Sequence, residues 1–220
     1  MAHKYEHIST GGGFSVLNNG VETQVITQTG EVVDAAQGMR QYSILKPEVG
    51  TAVVVSAEDI SGGDVAAASL VRTILDYPRN LLYTLSDDAS DTLEAIFTVV
   101  GTDQFGVAAT EVVEVDFDVA ATGAGTQIFA TITSIAIAVT NEAASDTASV
   151  GVAITADVAS FGLPDAISAT TDVKGVNWID AGTSKTQNID ATSVVVARDA
   201  FRPEQTVAAA DDYIILYKAT

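Results

Sequence analysis

Glu114, Asp116 and Asp118 alternate with apolar residues in the run Val113-Glu114-Val115-Asp116-Phe117-Asp118-Val119. Paired acids at a defined separation are what glycoside hydrolysis requires. On a strand these carboxylates lie about 7 Å apart along one face, a spacing compatible with hydrolase geometry. A sugar site also needs aromatic platforms, and the chain's single tryptophan, Trp178, is far away in sequence. A solvated acidic face accounts for the three residues better than a catalytic pair does.

The stretch Asp87-Asp88-Ala89-Ser90-Asp91 offers carboxylates for Ca²⁺, but it lacks the alternating ligands and central glycine of an EF-hand loop and reads as a polar turn. His3 and His7 are four residues apart and could share a metal on a helix. They have no neighbouring third ligand, the chain has no cysteine, and they belong to a polar terminal segment. No Gly-x-Ser-x-Gly motif occurs, and neither Gly11-Gly12-Gly13 nor Gly123-Ala124-Gly125 matches a P-loop or a dinucleotide fingerprint. Trp178 and Phe161 stand out in a second half made of small residues, and core positions suit them better than interface anchors. The expectation is a non-enzymatic protein with no catalytic residue, no cofactor and no metal.

The elements that hold these residues are read from periodicity. Residues 97–119 spell a β-hairpin: Val113, Val115, Phe117 and Val119 fall on one face and the acids on the other, with Gly101 to Gly106 supplying the reversal. Further strands are predicted over 80–85, 93–100, 107–119, 127–139, 147–158, 173–179, 193–197 and 213–218, separated by polar breaks. In 127–139, Phe129, Thr131, Thr133, Ile135, Ile137 and Val139 are expected on one face, with Ile132 on the other. In 147–158, Val150, Val152, Ile154, Ala156 and Val158 are expected to share a face.

Residues 64–75 admit either a short helix capped by Asp64 or an extended path. Residues 14–26 suggest a hairpin around Asn18-Asn19-Gly20. The region 160–192 is read as an excursion or a second, smaller lobe. The fold expected is all-β, an antiparallel sandwich or barrel-like domain with an extended N-terminal arm. Its parts are an arm over 1–13, an N-terminal β-rich region over 14–72 and a main β-sandwich domain over 73–220.

Composition narrows the partners. Acidic residues number 29 against 10 basic ones, a formal charge of -19. That excess repels phosphate backbones and anionic membrane surfaces alike, so neither nucleic acid nor membrane is an expected partner. The opening Met1 to Gly13 has no apolar run of the kind a secretory leader needs, and no window approaches the length of a membrane-spanning helix. Without disulfides and with an alanine-rich core, support from neighbouring subunits is expected.

Several runs resemble modules of tailed-phage virion structural proteins. They are Tyr77-Pro78-Arg79-Asn80-Leu81, Val100 to Gly106 with Thr110-Glu111, Phe129 to Ile135, Phe161-Gly162-Leu163-Pro164, and the closing Asp211-Asp212-Tyr213-Ile214-Ile215-Leu216-Tyr217. The resemblance spans roughly residues 73–220. Ala153 to Ser160 replaces the glycine-rich approach that the family often has before its Gly-Leu-Pro turn. The resemblance implies a non-enzymatic head decoration (cement) protein, a homotrimer on the outer surface of the capsid and bound to the major capsid protein. The alternative it leaves open is a tail or fibre component, or a surface adhesin that binds host glycans.

Overall fold

A computed structural model describes residues 39–87, 92–118, 120–180, 182–187, 189 and 193–220, together with the backbone of three short strands nearer the N-terminus. Those three, β1 (Ser15–Asn18), β2 (Thr23–Ile26) and β3 (Val32–Asp34), pair antiparallel in that order. The hairpin expected near Asn18 is therefore present in the backbone. The proposed arm over 1–13, with His3 and His7, lies outside the described residues.

The chain continues through β4 (Met39–Leu45), β5 (Val55–Asp59), β6 (Ile74–Arg79), β7 (Leu81–Ser86), β8 (Glu94–Thr102) and β9 (Ala108–Asp116). It then forms β10 (Thr122–Ala124), β11 (Phe129–Thr140), β12 (Thr147–Val152), β13 (Phe161–Gly162), β14 (Val173–Asp180) and β15 (Thr183–Gln187). Last come β16 (Val194–Val195), β17 (Ala200–Phe201) and β18 (Asp212–Lys218). Among the described residues, helix is confined to single 3₁₀ turns at 170–172 and 196–198. The fold is all-β, as the alternation predicts.

Beyond β1–β3, three antiparallel sheets result. Their strand orders are β10-β7-β12-β5, β16-β17-β13-β6-β11-β8-β9 and β15-β14-β18-β4. The first two face each other across an apolar core that includes Leu81, Tyr83, Phe97, Val99, Val115, Phe129, Ile135, Ile137 and Val150. The third sheet covers a second core built on Ile44, Phe161, Leu163, Val176, Phe201, Tyr213, Ile215 and Tyr217. Because β4 pairs with β18 and β5 with β12, hydrogen bonding ties residues before 72 to strands far beyond it.

The β8–β9 hairpin follows its expected pattern: Val115 is buried, Val113 and Phe117 pack on the first core, and Glu114 points to solvent. Its reversal is built by Asp103, whose Oδ1 accepts the N–H groups of Phe105 and Val107, both at 2.9 Å. Gly106 takes a φ of 76° there, a left-handed conformation that glycine adopts without a Cβ penalty.

Of the two paths open to residues 64–75, the chain takes the extended one, running beside β11 and supplying the partners its edge needs. Val65 and Ile137 exchange backbone hydrogen bonds at 2.8 Å, and the Ala68 N–H reaches the Ile135 carbonyl at 2.8 Å. Asp64 caps a strand instead, accepting the Val139 N–H at 2.9 Å. This segment also bridges to β5, with Val71 N–H donating to the Val54 carbonyl, so it closes one side of the sandwich.

One departure from the sequence reading is in β11. Its register against β8 shifts between Ile132 and Ser134, which turns buried Ile132 onto the core side and leaves Thr133 exposed. A bulge inserts one residue and so exchanges the faces that strict alternation assigns. Another is in 147–158: β12 ends at Val152, and Asp157, with φ 58°, sits in a turn where alternation has no meaning. Likewise the strand expected over 193–197 is two residues long and gives way to a 3₁₀ turn.

Candidate functional site

The carboxylates singled out by spacing do not form a reacting pair. Glu114 is exposed on the outer side of β9, and Asp116 Oδ1 is engaged by the Asp118 N–H at 3.0 Å as a turn cap. In the acidic turn, Asp87 is described while Asp88 to Asp91 lie outside the described residues. Among the described residues, no group of three His, Asp or Glu side chains is placed to hold a metal ion. Phe161 is fully buried in the second core. Trp178 is half-buried on β14, with Lys185 Nζ 4.5 Å from its ring and Lys185 paired to Asp180 at 2.7 Å.

Polar chemistry concentrates where the two cores meet. β6 ends in Arg79, which has no exposed surface. Its guanidinium donates to the carbonyls of Glu48 at 2.8 Å and Ala153 at 3.0 Å, lies 3.7 Å from Asp76 Oδ1, and stacks over the Phe161 ring at 4.6 Å. Burial lowers its pKa to about 10, against the pull of Asp76 and Glu48, and it keeps its charge at neutral pH. Asn80, next along, is also buried. Its Nδ2 donates to the carbonyls of Gly125 at 2.8 Å and Val158 at 3.0 Å, while its Oδ1 accepts the Ser160 N–H at 2.8 Å. Two adjacent side chains thus replace a strand ladder between three loops.

Glu111 does similar work from the inner side of β9. Its Oε1 accepts the N–H groups of Thr126 at 2.6 Å and Gln127 at 2.8 Å, and its Oε2 accepts the Tyr83 hydroxyl at 3.1 Å. Burial, reinforced by this carboxylate, pushes the Tyr83 phenol far above its ordinary range. Close approach requires glycine at 125, because a Cβ there would sit 2.1 Å from Glu111 Oε2.

Other acids serve as loop clasps. Burial alone would raise the pKa of Asp172, but the N–H groups of Ser168 and Ala169 and the Ser168 hydroxyl bring it below the usual carboxylate value. Asp199 Oδ1 accepts the Ile167 N–H at 2.7 Å, and Asp211 Oδ2 accepts that of Ala208 at 2.8 Å.

Two surfaces remain outside this framework. One is the outer side of β8, β9 and β11. Thr98 stands opposite Val112, with Ile96 and Val100 on either side along β8, and Phe105 and Val107 are exposed at the hairpin's tip. Val112 is 63% exposed and Val107 59%, a high exposure for large apolar side chains on one hairpin. None of these three strands carries a Lys or Arg, and Glu94, Glu114 and Asp116 border one end.

The other is a cleft of about 350 Å³ beside Asn80, into which Arg198 and Arg202 open. The sequence reading passed over both arginines; their four-residue spacing in Ala197-Arg198-Asp199-Ala200-Phe201-Arg202, in so acidic a chain, was the available signal.

Comparison of the chain with protein-family models, curated proteins and solved structures finds no match. Arg79, Asn80, Glu111, Phe161 and Tyr213 all belong to the joint between the cores or its immediate walls.

Proposed function

We propose that this chain is a non-enzymatic structural protein of a tailed-phage virion, a capsid decoration protein that binds the outer surface of the shell. The observation that carries this reading is the outer side of β8, β9 and β11, a sheet face that exposes Ile96, Val100 and Val112 among threonines, without cations and with acids toward one end. Such a face suits a partner that offers apolar side chains within a basic rim. The major capsid protein, repeated over an assembled shell, is the partner proposed. The homotrimer expected from the resemblance would present three such faces at once, and linked contacts gain avidity without any one of them being strong.

Charge supports the exterior. At -19, the subunit would be repelled by packaged genome on the inner surface. The mechanism is burial of the sheet face across neighbouring capsid subunits, which resists their separation.

Co-sedimentation with expanded shells of the virion's own major capsid protein tests this. Saturable binding, with a rise in the shell's disruption temperature, is expected. Failure to bind shells, combined with attachment to host cells, would replace the decoration reading with that of an adhesin.

A further inference from the structure

We propose that the cleft beside Asn80 is a recognition site for a single carboxylate on a small polar molecule, with Arg198 and Arg202 as its anion-binding residues. This goes beyond shell binding and uses a different part of the molecule from the exposed sheet face.

The argument begins with how the chain spends its few cations. Arg40, Arg72, Arg79 and Lys185 each lie against an acidic side chain. Arg198 and Arg202 do not: among the described residues neither has a carboxylate within ion-pair distance, and of the cations without an ion pair, which include Lys46, Lys174 and Lys218, only these two line the cleft. Arg198 is held by neutral oxygens alone, Nη1 donating to Gln127 Oε1 at 2.6 Å and Nη2 to Thr126 Oγ1 at 2.9 Å. Arg202 is anchored through its backbone, its N–H donating to the Ser193 carbonyl at 2.8 Å and its carbonyl accepting Gln187 Nε2 at 3.0 Å. Its side-chain Nε is buried and has no acceptor. Arg79 Nε is likewise buried without an acceptor, but its guanidinium is matched elsewhere. The half-buried Arg202 guanidinium, by contrast, has no acidic partner in a chain with 29 acids, and an N–H buried without an acceptor is costly.

The cleft is built rather than incidental. The Asn80 side chain clamps the carbonyls of Gly125 and Val158 and the Ser160 N–H, which fixes its walls on both sides. Its volume of about 350 Å³ is near the lower end of small-molecule sites, room for a body of monosaccharide size. A planar carboxylate matches the guanidinium fork through paired N–H donors. Asp157 also lines the cleft, and with the charge of the whole chain it disfavours a dianion such as phosphate.

The same chemistry could be offered by a sugar acid or by an acidic peptide, and the probes separate them. The full chain is titrated by calorimetry and by amide chemical-shift mapping with D-glucuronate, with N-acetyl-L-aspartate amide, with D-glucose and with inorganic phosphate. Saturable binding of either carboxylate, with shifts at Thr126, Ser160 and Arg202, is expected, and the tighter of the two names the source. D-glucose should not bind. Arg202→Met and Arg198→Gln should each weaken binding at least tenfold, while Arg72→Gln, on a surface pair elsewhere, should not.

The proposal is overturned if neither carboxylate binds, if phosphate binds as tightly as they do, or if folded Arg202→Met binds unchanged. Should Arg202→Met fail to fold, the Arg198→Gln result and the glucuronate-to-glucose contrast on the unaltered chain decide by the same criteria.

Discussion

The two cores of this protein are stabilised by different means. The first lies between two sheets and is filled by alternate residues of long strands, as in β8, where Ala95, Phe97 and Val99 point inward in sequence. The second is assembled from β4, β14 and β18, two-residue strands and loops, around the packed rings of Tyr77, Phe161, Phe201 and Tyr213. Its loops are held by single side chains: Arg79, Asn80, Asp172, Asp199 and Asp211. The lesson is that a chain poor in large side chains can hold irregular backbone by giving its N–H groups carboxylates, and its carbonyls a few buried donors. The acid excess is thus partly internal structure and not only a solvated surface.

The contrast makes the second region more sensitive to single polar substitutions. Arg79→Met should have the largest effect, a loss of about 3–5 kcal/mol in denaturant unfolding, because it strips two carbonyls and Asp76 of their donor at once. A loss below about 1 kcal/mol would show that the joint is not held through this residue. Gly125→Ala should cost about 1–3 kcal/mol by driving Glu111 away from Tyr83 and from the loop N–H groups. In the first core, Ile135→Val should cost only about 1 kcal/mol, the ordinary penalty of a lost methylene in a well-packed sheet.

Alkali sharpens the comparison further. Burial pushes the Tyr42 phenol up to about 12, with Tyr77 and Asp76 adding to the shift, and raises Tyr213 and Tyr217 still more. A group whose folded pKa lies above its unfolded value of 10.0 contributes stability that is present below that value and lost as pH climbs through the folded pKa. Arg79 acts in the opposite sense between about 10 and 12.5, where the unfolded chain holds the proton longer. Around the second core three tyrosines outweigh one arginine, while in the first core only Tyr83 is raised, so stability should fall above pH 10 and fall first around the second core. Trp178, against the second core, should report the change in its fluorescence before amide exchange rises in β8 and β11. Simultaneous loss of both regions would contradict the division.

The smallest effect on folding is expected at the exposed face. Val112→Lys should alter stability by no more than about 0.5 kcal/mol while abolishing binding to shells.

The long strands were legible in the sequence because a half-buried sheet imposes a period of two, and the β8–β9 hairpin carried its turn chemistry openly in Asp103 and Gly106. The helix considered over 64–75 dissolves because the free edge of β11 needs partners, a tertiary demand that local alanine content does not reveal. The exchange of Ile132 for Thr133 at the core follows from one bulge, which leaves no periodic trace. The acids of the candidate chemistry were visible as acids, but their spacing along a strand concealed that the carboxylate tying β9 to β7 and to the loop at 126–127 is Glu111, on the opposite face. Arg198 and Arg202 were passed over because the overall negative charge drew attention to the acids.

Cryo-electron microscopy of the intact virion that carries this protein tests the central proposal most directly. The account predicts density for the chain on the outer capsid surface, in threefold groups, with Ile96, Val100 and Val112 buried against the major capsid protein. Density on the tail or fibres, or on the capsid with that sheet face turned to solvent, would contradict it.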